Sequence, residues 1–192
     1  MDTYAHLSNA TPDQLKNRLR IQFMGEPGQD AGGLTREFYT ELSREMFNPN
    51  YSLFILSSSG STYYPNPKSG IQRDHLLYFK FIGRILGKAL LDEQYLDCHF
   101  VKTLYKMLLG EPLDFSDLED YDYEFYNNLK WCLNNDITPL GQNFTAQQEN
   151  YGKTEEVELI KDGKSIMVDN ENKMMYLEKL TFFKLYLSVS AQ

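Results

Sequence analysis

Along Leu34, Phe38, Leu42 and Met46 the apolar residues recur every four positions, which predicts one helix with a single stripe facing a core, stopped by Asn48-Pro49. A second run, His75 to Leu91, is apolar almost all round and predicts a helix buried on most faces. Gly83 and Gly87 lie one turn apart on it, a spacing that invites close approach of another backbone. Upstream, Thr11-Pro12-Asp13-Gln14 reads as a helix start, with Thr11 and Gln14 closing a capping box and proline at the first helical position. Ile21 and Phe23 then alternate with polar neighbours across Arg20 to Gly25, as in a strand. Tyr51 to Gly70, rich in Ser, Gly, Pro and Tyr, reads as a loop or short hairpin. Two further helices follow over about Cys98 to Leu109 and Tyr121 to Asn134, linked by Phe115-Ser116-Asp117-Leu118, the first ended by Gly110 and Pro112. Near the end, two apolar runs, Val157 to Ile160 and Ser165 to Val168, flank Lys161-Asp162-Gly163-Lys164 and predict a hairpin, after which Asp169 or Asn170 caps a last helix. The sum is an α+β chain, mainly α, with short β-hairpins and no internal repeat.

Glycines at 28, 32 and 33 permit a tight reversal before the helix at Leu34, and Asp30 is a candidate cap. These glycines form no nucleotide loop, because no Gly-Lys-Ser/Thr follows and the dinucleotide fingerprint spacing is missing.

With 192 residues, 42% hydrophobic and 14% aromatic, the chain is long enough and apolar enough to bury a core. A net charge of −8 argues against nucleic-acid binding and against acidic partners generally. Lys80, Arg84 and Lys88 interrupt the longest apolar run, so no membrane span is expected, and the opening residues carry no secretion signal. A cytoplasmic or nuclear location follows, in keeping with two cysteines, Cys98 and Cys132, that read as reduced packing residues inside helices. His6, His75 and His99 are scattered, no metal site is apparent, and no cofactor is expected. The acidic cluster Asp117, Glu119, Asp120, Asp122 and Glu124 lacks the calcium-loop pattern and reads as a solvated turn at a helix start.

Gly28-Gln29-Asp30-Ala31-Gly32-Gly33-Leu34-Thr35-Arg36-Glu37-Phe38 followed by Glu45-Met46-Phe47-Asn48-Pro49 resembles the signature of the HECT family of ubiquitin-protein ligases. Tyr78-Phe79-Lys80-Phe81-Ile82-Gly83-Arg84, Leu104 to Leu109, Tyr126 to Trp131 and Asn170-Glu171-Asn172-Lys173 continue the likeness in order, over about residues 12 to 180. The resemblance implies the amino-terminal lobe of a HECT domain, a larger helical scaffold of about 1–95 and 156–192 with a smaller docking subdomain of about 96–155. It implies recruitment of a ubiquitin-conjugating enzyme, whose ubiquitin passes to a cysteine in a carboxy-terminal lobe and on to a protein substrate selected by other regions. Neither Cys98 nor Cys132 stands in the family's Thr-Cys-Phe context, so the catalytic lobe is expected to be missing and this chain inactive alone.

Periodicity alone leaves Phe125 to Leu133 open: Phe125, Leu129 and Cys132 form one stripe, Tyr126, Trp131 and Leu133 another, and either one stripe packs while the other stays available, or both are core. The resemblance implies that the conjugating-enzyme groove comprises Phe125, Asn128, Leu129, Cys132, Asn135, Leu140 and Gln142, with Tyr176 and Leu180 on the facing helix. It also implies a non-covalent ubiquitin surface at Leu56, Tyr63 and Phe144. The alternatives are a non-catalytic interaction scaffold derived from such a lobe, and a self-sufficient transferase using Cys98 or Cys132.

Overall fold

The capping box at Thr11 forms as written. Its hydroxyl accepts from the Gln14 backbone N–H at 3.3 Å while the Gln14 side chain accepts from Thr11 N–H at 2.8 Å. In this computed structural model residues 2–25, 33–150 and 153–190 are described, and they group into two compact units, one of residues 2–54 and 69–98, the other of 55–68 and 99–190. The glycine turn at 28–32 and the cap at Asp30 lie outside the described residues.

The first unit is helical: α1 (Asp2–Asn9), α2 (Pro12–Lys16), α3 (Gly33–Met46) and α4 (His75–Leu91). The opening segment has too little apolar periodicity to announce α1, yet Tyr4 brings its ring within 5.5 Å of Tyr78 and 5.0 Å of Phe81. Arg84 donates to the carbonyls of Leu7 and Ala10 at 2.9 and 2.7 Å, satisfying groups that the end of α1 leaves without helical partners. Arg20 to Gly25 does not form a strand. Ile21 and Phe23 are half-buried between exposed neighbours, so the alternation is real, but among the described residues no strand pairs with this segment. The buried face of α3 is also rotated from the predicted stripe: Tyr39, Ser43 and Met46 are buried, whereas Leu34, Phe38 and Leu42 are only half-buried beside them. A hydrogen bond from the Tyr39 hydroxyl to Asp92 Oδ2 at 2.8 Å makes that polar burial possible. Lys88, buried within α4, pairs with the other oxygen of Asp92.

Helix α4 has the predicted bounds, but one of its faces is open: Leu76, Leu77, Leu90 and Leu91 are exposed, and Cβ atoms built on Gly83 and Gly87 would meet nothing within 4 Å. Among the described residues, therefore, no other backbone approaches these glycines closely.

Among its described residues the second unit shows two hairpins and four helices. Strands β1 (Phe54–Leu56) and β2 (Tyr63–Pro65) pair across the Ser-rich turn, resolving the loop-or-hairpin alternative. The helices are α5 (Lys102–Leu109), α6 (Leu118–Tyr121), α7 (Tyr123–Asn134) and α8 (Lys173–Leu185). Helix α5 starts four residues later than predicted, because 99–101 run extended beside β2, with Val101 N–H donating to Tyr63 O at 3.1 Å and Tyr63 N–H to His99 O at 2.7 Å. Cys98 consequently lies off any helix. The second hairpin is not at Asp162-Gly163. It is β3 (Thr145–Asn150) with β4 (Lys153–Glu158), antiparallel, in the register Ala146↔Val157 and Gln148↔Glu155. Asp162, at φ 57°, instead makes a left-handed step into a single 3-10 turn that begins at Gly163. Asp169 does serve the start of α8, its Oδ1 accepting from Glu171 and Asn172 N–H groups at 2.9 and 3.0 Å, although Asn172 occupies the cap position itself.

The core of this unit gathers Tyr64, Leu118, Leu129, Ile137, Phe144, Val168, Tyr176 and Leu185. Helix α8 packs on α7 here, so 156–190 join the unit of residues 99–155 rather than the grouping of about 1–95 read from sequence. The described helices include none long and apolar enough to cross a membrane.

Candidate functional site

Asp122 starts the helix that matters most. Its Oδ1 accepts from Phe125 N–H at 3.1 Å, capping α7, while its other oxygen pairs with Lys184 of α8 at 3.3 Å. Lys184 also stands over the Phe125 ring, 4.9 Å from its centroid, so one ammonium ties the two helices together. From that anchor the stripe Phe125, Leu129, Cys132 turns inward, and Tyr126 and Leu133 of the other stripe also pack half-buried against the core, leaving Trp131 as the one member of either stripe that is mainly exposed, so α7 matches neither reading in full.

The nine groove residues separate by depth. Leu129 and Tyr176 are core, 4% and 7% exposed. Phe125, Cys132 and Leu180 are half-buried against the same cluster. Asn128, Asn135, Leu140 and Gln142 face solvent. Leu129 and Tyr176 are thus brought together but sealed, and a charge placed at either would be buried without a partner, so neither position tests surface contact with the fold left intact. Between α7 and Leu140 the chain makes one 3-10 turn, Thr138–Leu140, closed by Gly141 at φ 61°.

Leu56 and Tyr63 of the β1–β2 hairpin are exposed and half-buried respectively. Phe144 is fully buried, so its ring is unavailable to a partner; an exposed phenylalanine there is corrected by its place in the core. The acidic cluster is likewise not all solvated: Asp117 is buried and paired with Lys106 at 2.7 Å, Lys106 reaches Asp114 at 3.2 Å, and Asp122 is the α7 cap.

Both cysteines are shifted away from reactivity. Burial, reinforced by Asp97, pushes the Cys98 thiol up to about 11, and burial also raises that of Cys132. A thiol so shifted is almost wholly protonated at neutral pH and a poor nucleophile. Among the described residues no group of histidine, cysteine and carboxylate side chains is arranged to hold a metal ion.

Sequence reasoning missed the hydrogen bonds that hold the loop after α7. Asn170 and Lys173, which entered only as part of a motif, donate to Asp136 Oδ1 at 2.6 Å and to the Asn135 carbonyl at 2.8 Å. Two donors at three-residue spacing before an apolar helix were the available signal.

Helix α7, the loop after it and the facing helix α8 lie in one unit, and the chain belongs to the HECT-domain (ubiquitin-transferase) family, whose model matches residues 40–192. Among its relatives, E3 ubiquitin-protein ligase TOM1 of Saccharomyces cerevisiae is 46% identical over all of this chain, which spans 6% of that protein. E3 ubiquitin-protein ligase HUWE1 of Mus musculus is 45% identical over 92% of the chain and is spanned to 4%, and E3 ubiquitin-protein ligase pub3 of Schizosaccharomyces pombe is 43% identical over all of it and spanned to 25%. The chain therefore spans a quarter or less of the length of these curated relatives.

Proposed function

We propose that this chain is the part of a HECT ubiquitin ligase that receives the ubiquitin-charged conjugating enzyme, and that a cysteine elsewhere in the protein accepts the ubiquitin. The observation that carries the reading is the convergence of α7, the 135–142 loop and α8 in one unit, with Leu140 48% exposed while the helices behind it are fixed by Leu129 and Tyr176. An apolar side chain left open on a rigid base is what a partner needs for a desolvated contact. The state of the thiols supports the second half. A thioester relay requires a thiolate, and burial raises the pKa of both Cys98 and Cys132, which disfavours that form. The lobe binds and orients the charged enzyme, and the chemistry is completed on another segment.

Calorimetric titration of the full chain with a panel of purified ubiquitin-conjugating enzymes tests this. Binding to at least one is expected, weakened about tenfold or more by Leu140→Asp and by Asn128→Arg, both surface changes. Affinity unchanged by both variants sinks the assignment of the surface. Incubation with charged enzyme should leave no thioester on this chain; a thioester on Cys98 or Cys132 would establish the self-sufficient transferase instead.

A further inference from the structure

The loop after α7 is stapled along its length to the segment that leads into α8. Besides the bonds from Lys173 to the Asn135 carbonyl and from Asn170 to Asp136, the Gln142 carbonyl accepts from Val168 N–H at 2.8 Å and Asn143 Nδ2 donates to the Lys164 carbonyl at 2.8 Å. Asp136 Oδ1 also accepts from Thr138 N–H at 3.0 Å, and Ile137, 1% exposed, pins the middle of the loop into the core. The stapling segment is itself braced. Asp169 Oδ1 accepts from Glu171 and Asn172 N–H groups, Asn172 Oδ1 accepts from Asp169 N–H at 3.0 Å, and Asn172 Nδ2 donates to the Met167 carbonyl at 2.9 Å. Asn170 and Lys173 therefore project from a turn with little freedom of its own.

One hydrogen bond between exposed groups contributes little to global stability. Several that act on one short loop restrict which of its conformations are populated, and a binding loop already in its bound shape avoids the ordering cost at association. The carboxylate of Asp136 is suited to this use: its pKa is lowered by the Thr138 N–H, and Asn170 and Lys173 act in the same direction, so it stays an ionised acceptor.

We propose that Asn170 and Lys173 are positioning residues for the conjugating-enzyme docking loop, holding 135–142 in the shape that receives the partner; this rests on the docking reading above. Loss of both clamps leaves the loop competent for only part of the time, and apparent affinity falls by that fraction.

The test uses the full chain and whichever panel enzyme binds the wild type. Asn170→Ala combined with Lys173→Ala should raise the dissociation constant about tenfold. Hydrogen exchange should quicken at the amides of Thr138 and of 140–142 and not within α7 or α8. Lys173→Arg, which keeps a donor toward the Asn135 carbonyl, should retain wild-type affinity. Equal affinity of the double variant and the wild type overturns the positioning role while leaving the docking reading standing. Exchange that quickens throughout α7 and α8, or weakened binding by Lys173→Arg equal to that of Lys173→Ala, also overturns it. A wild type that binds no enzyme of the panel overturns both.

Discussion

Phe144 meets Tyr176 edge-on, ring centroids 5.5 Å apart and planes at 81°, where the chain entering β3 crosses α8. Because Phe144 is fully enclosed, Phe144→Ala should cost about 3–5 kcal/mol of unfolding free energy, read from urea denaturation. Any loss of ubiquitin or conjugating-enzyme binding in that variant should follow the unfolded fraction. Undiminished stability would mean that this ring is not the keystone its enclosure indicates.

Gly163 is required by the same ring's backbone. Phe144 N–H donates to both the Gly163 and Ile166 carbonyls at 3.1 Å, and a Cβ at 163 would collide with the Phe144 carbonyl oxygen. Gly163→Ala should therefore destabilise by roughly 1–3 kcal/mol, in the range of core overpacking, although alanine is elsewhere the mildest replacement for glycine. Thermal unfolding of this variant beside Gly141→Ala, whose strain is a positive φ rather than a collision, separates the two causes.

In the helical unit, Asp92 answers both Lys88 and Tyr39. Asp92→Ala leaves a buried ammonium without a counter-charge and should cost about 3–5 kcal/mol. Lys88→Met should be much milder, because the Asp92 side chain, 13% exposed, keeps water and the Tyr39 hydroxyl. Equal losses in the two variants would contradict this asymmetry.

Much of this architecture was legible, and the misreadings have physical causes. Helix α4 is legible to the residue because apolar side chains recur on nearly every face of its seventeen positions, despite the breaks at Lys80, Arg84 and Lys88. The β3–β4 hairpin was invisible, since its strands are Gln, Glu and Thr on most positions and only Ala146 and Val157 face each other as an apolar pair. In α3 the buried face was misjudged by one residue, because Tyr39 and Ser43 look polar until their hydrogen bonds to Asp92 and to the Thr40 carbonyl are seen. At the candidate site, spacing shows two apolar stripes on α7 but neither which of their residues pack inward nor how deeply. Periodicity assigns a face, whereas burial of Leu129, Phe144 and Tyr176 depends on what the rest of the chain lays over them.

Alkylation offers a pH measurement. With its thiol held up to about 11 by burial, Cys98 in a Cys132→Ser background should react with iodoacetamide at a rate that climbs about tenfold per pH unit beyond the point where an ordinary cysteine, near 8.5, levels off. A plateau near 8.5 would show an open, unperturbed thiol. The raised value also has a sign for stability. The protonated form is favoured by folding, so unfolding becomes easier as pH rises from about 8.5 toward 11.

Among the described residues the β3–β4 ribbon is two strands wide, so each strand is also an edge, the arrangement that recruits stray chains. Lys153, Glu155, Glu156 and Glu158 line it with charge, and Lys164 reaches across to Glu156 at 3.8 Å. These side chains act as guards against sheet growth from molecule to molecule. A redesign that traded them for valine or threonine in search of a firmer hairpin would turn this ribbon into a template for fibrils.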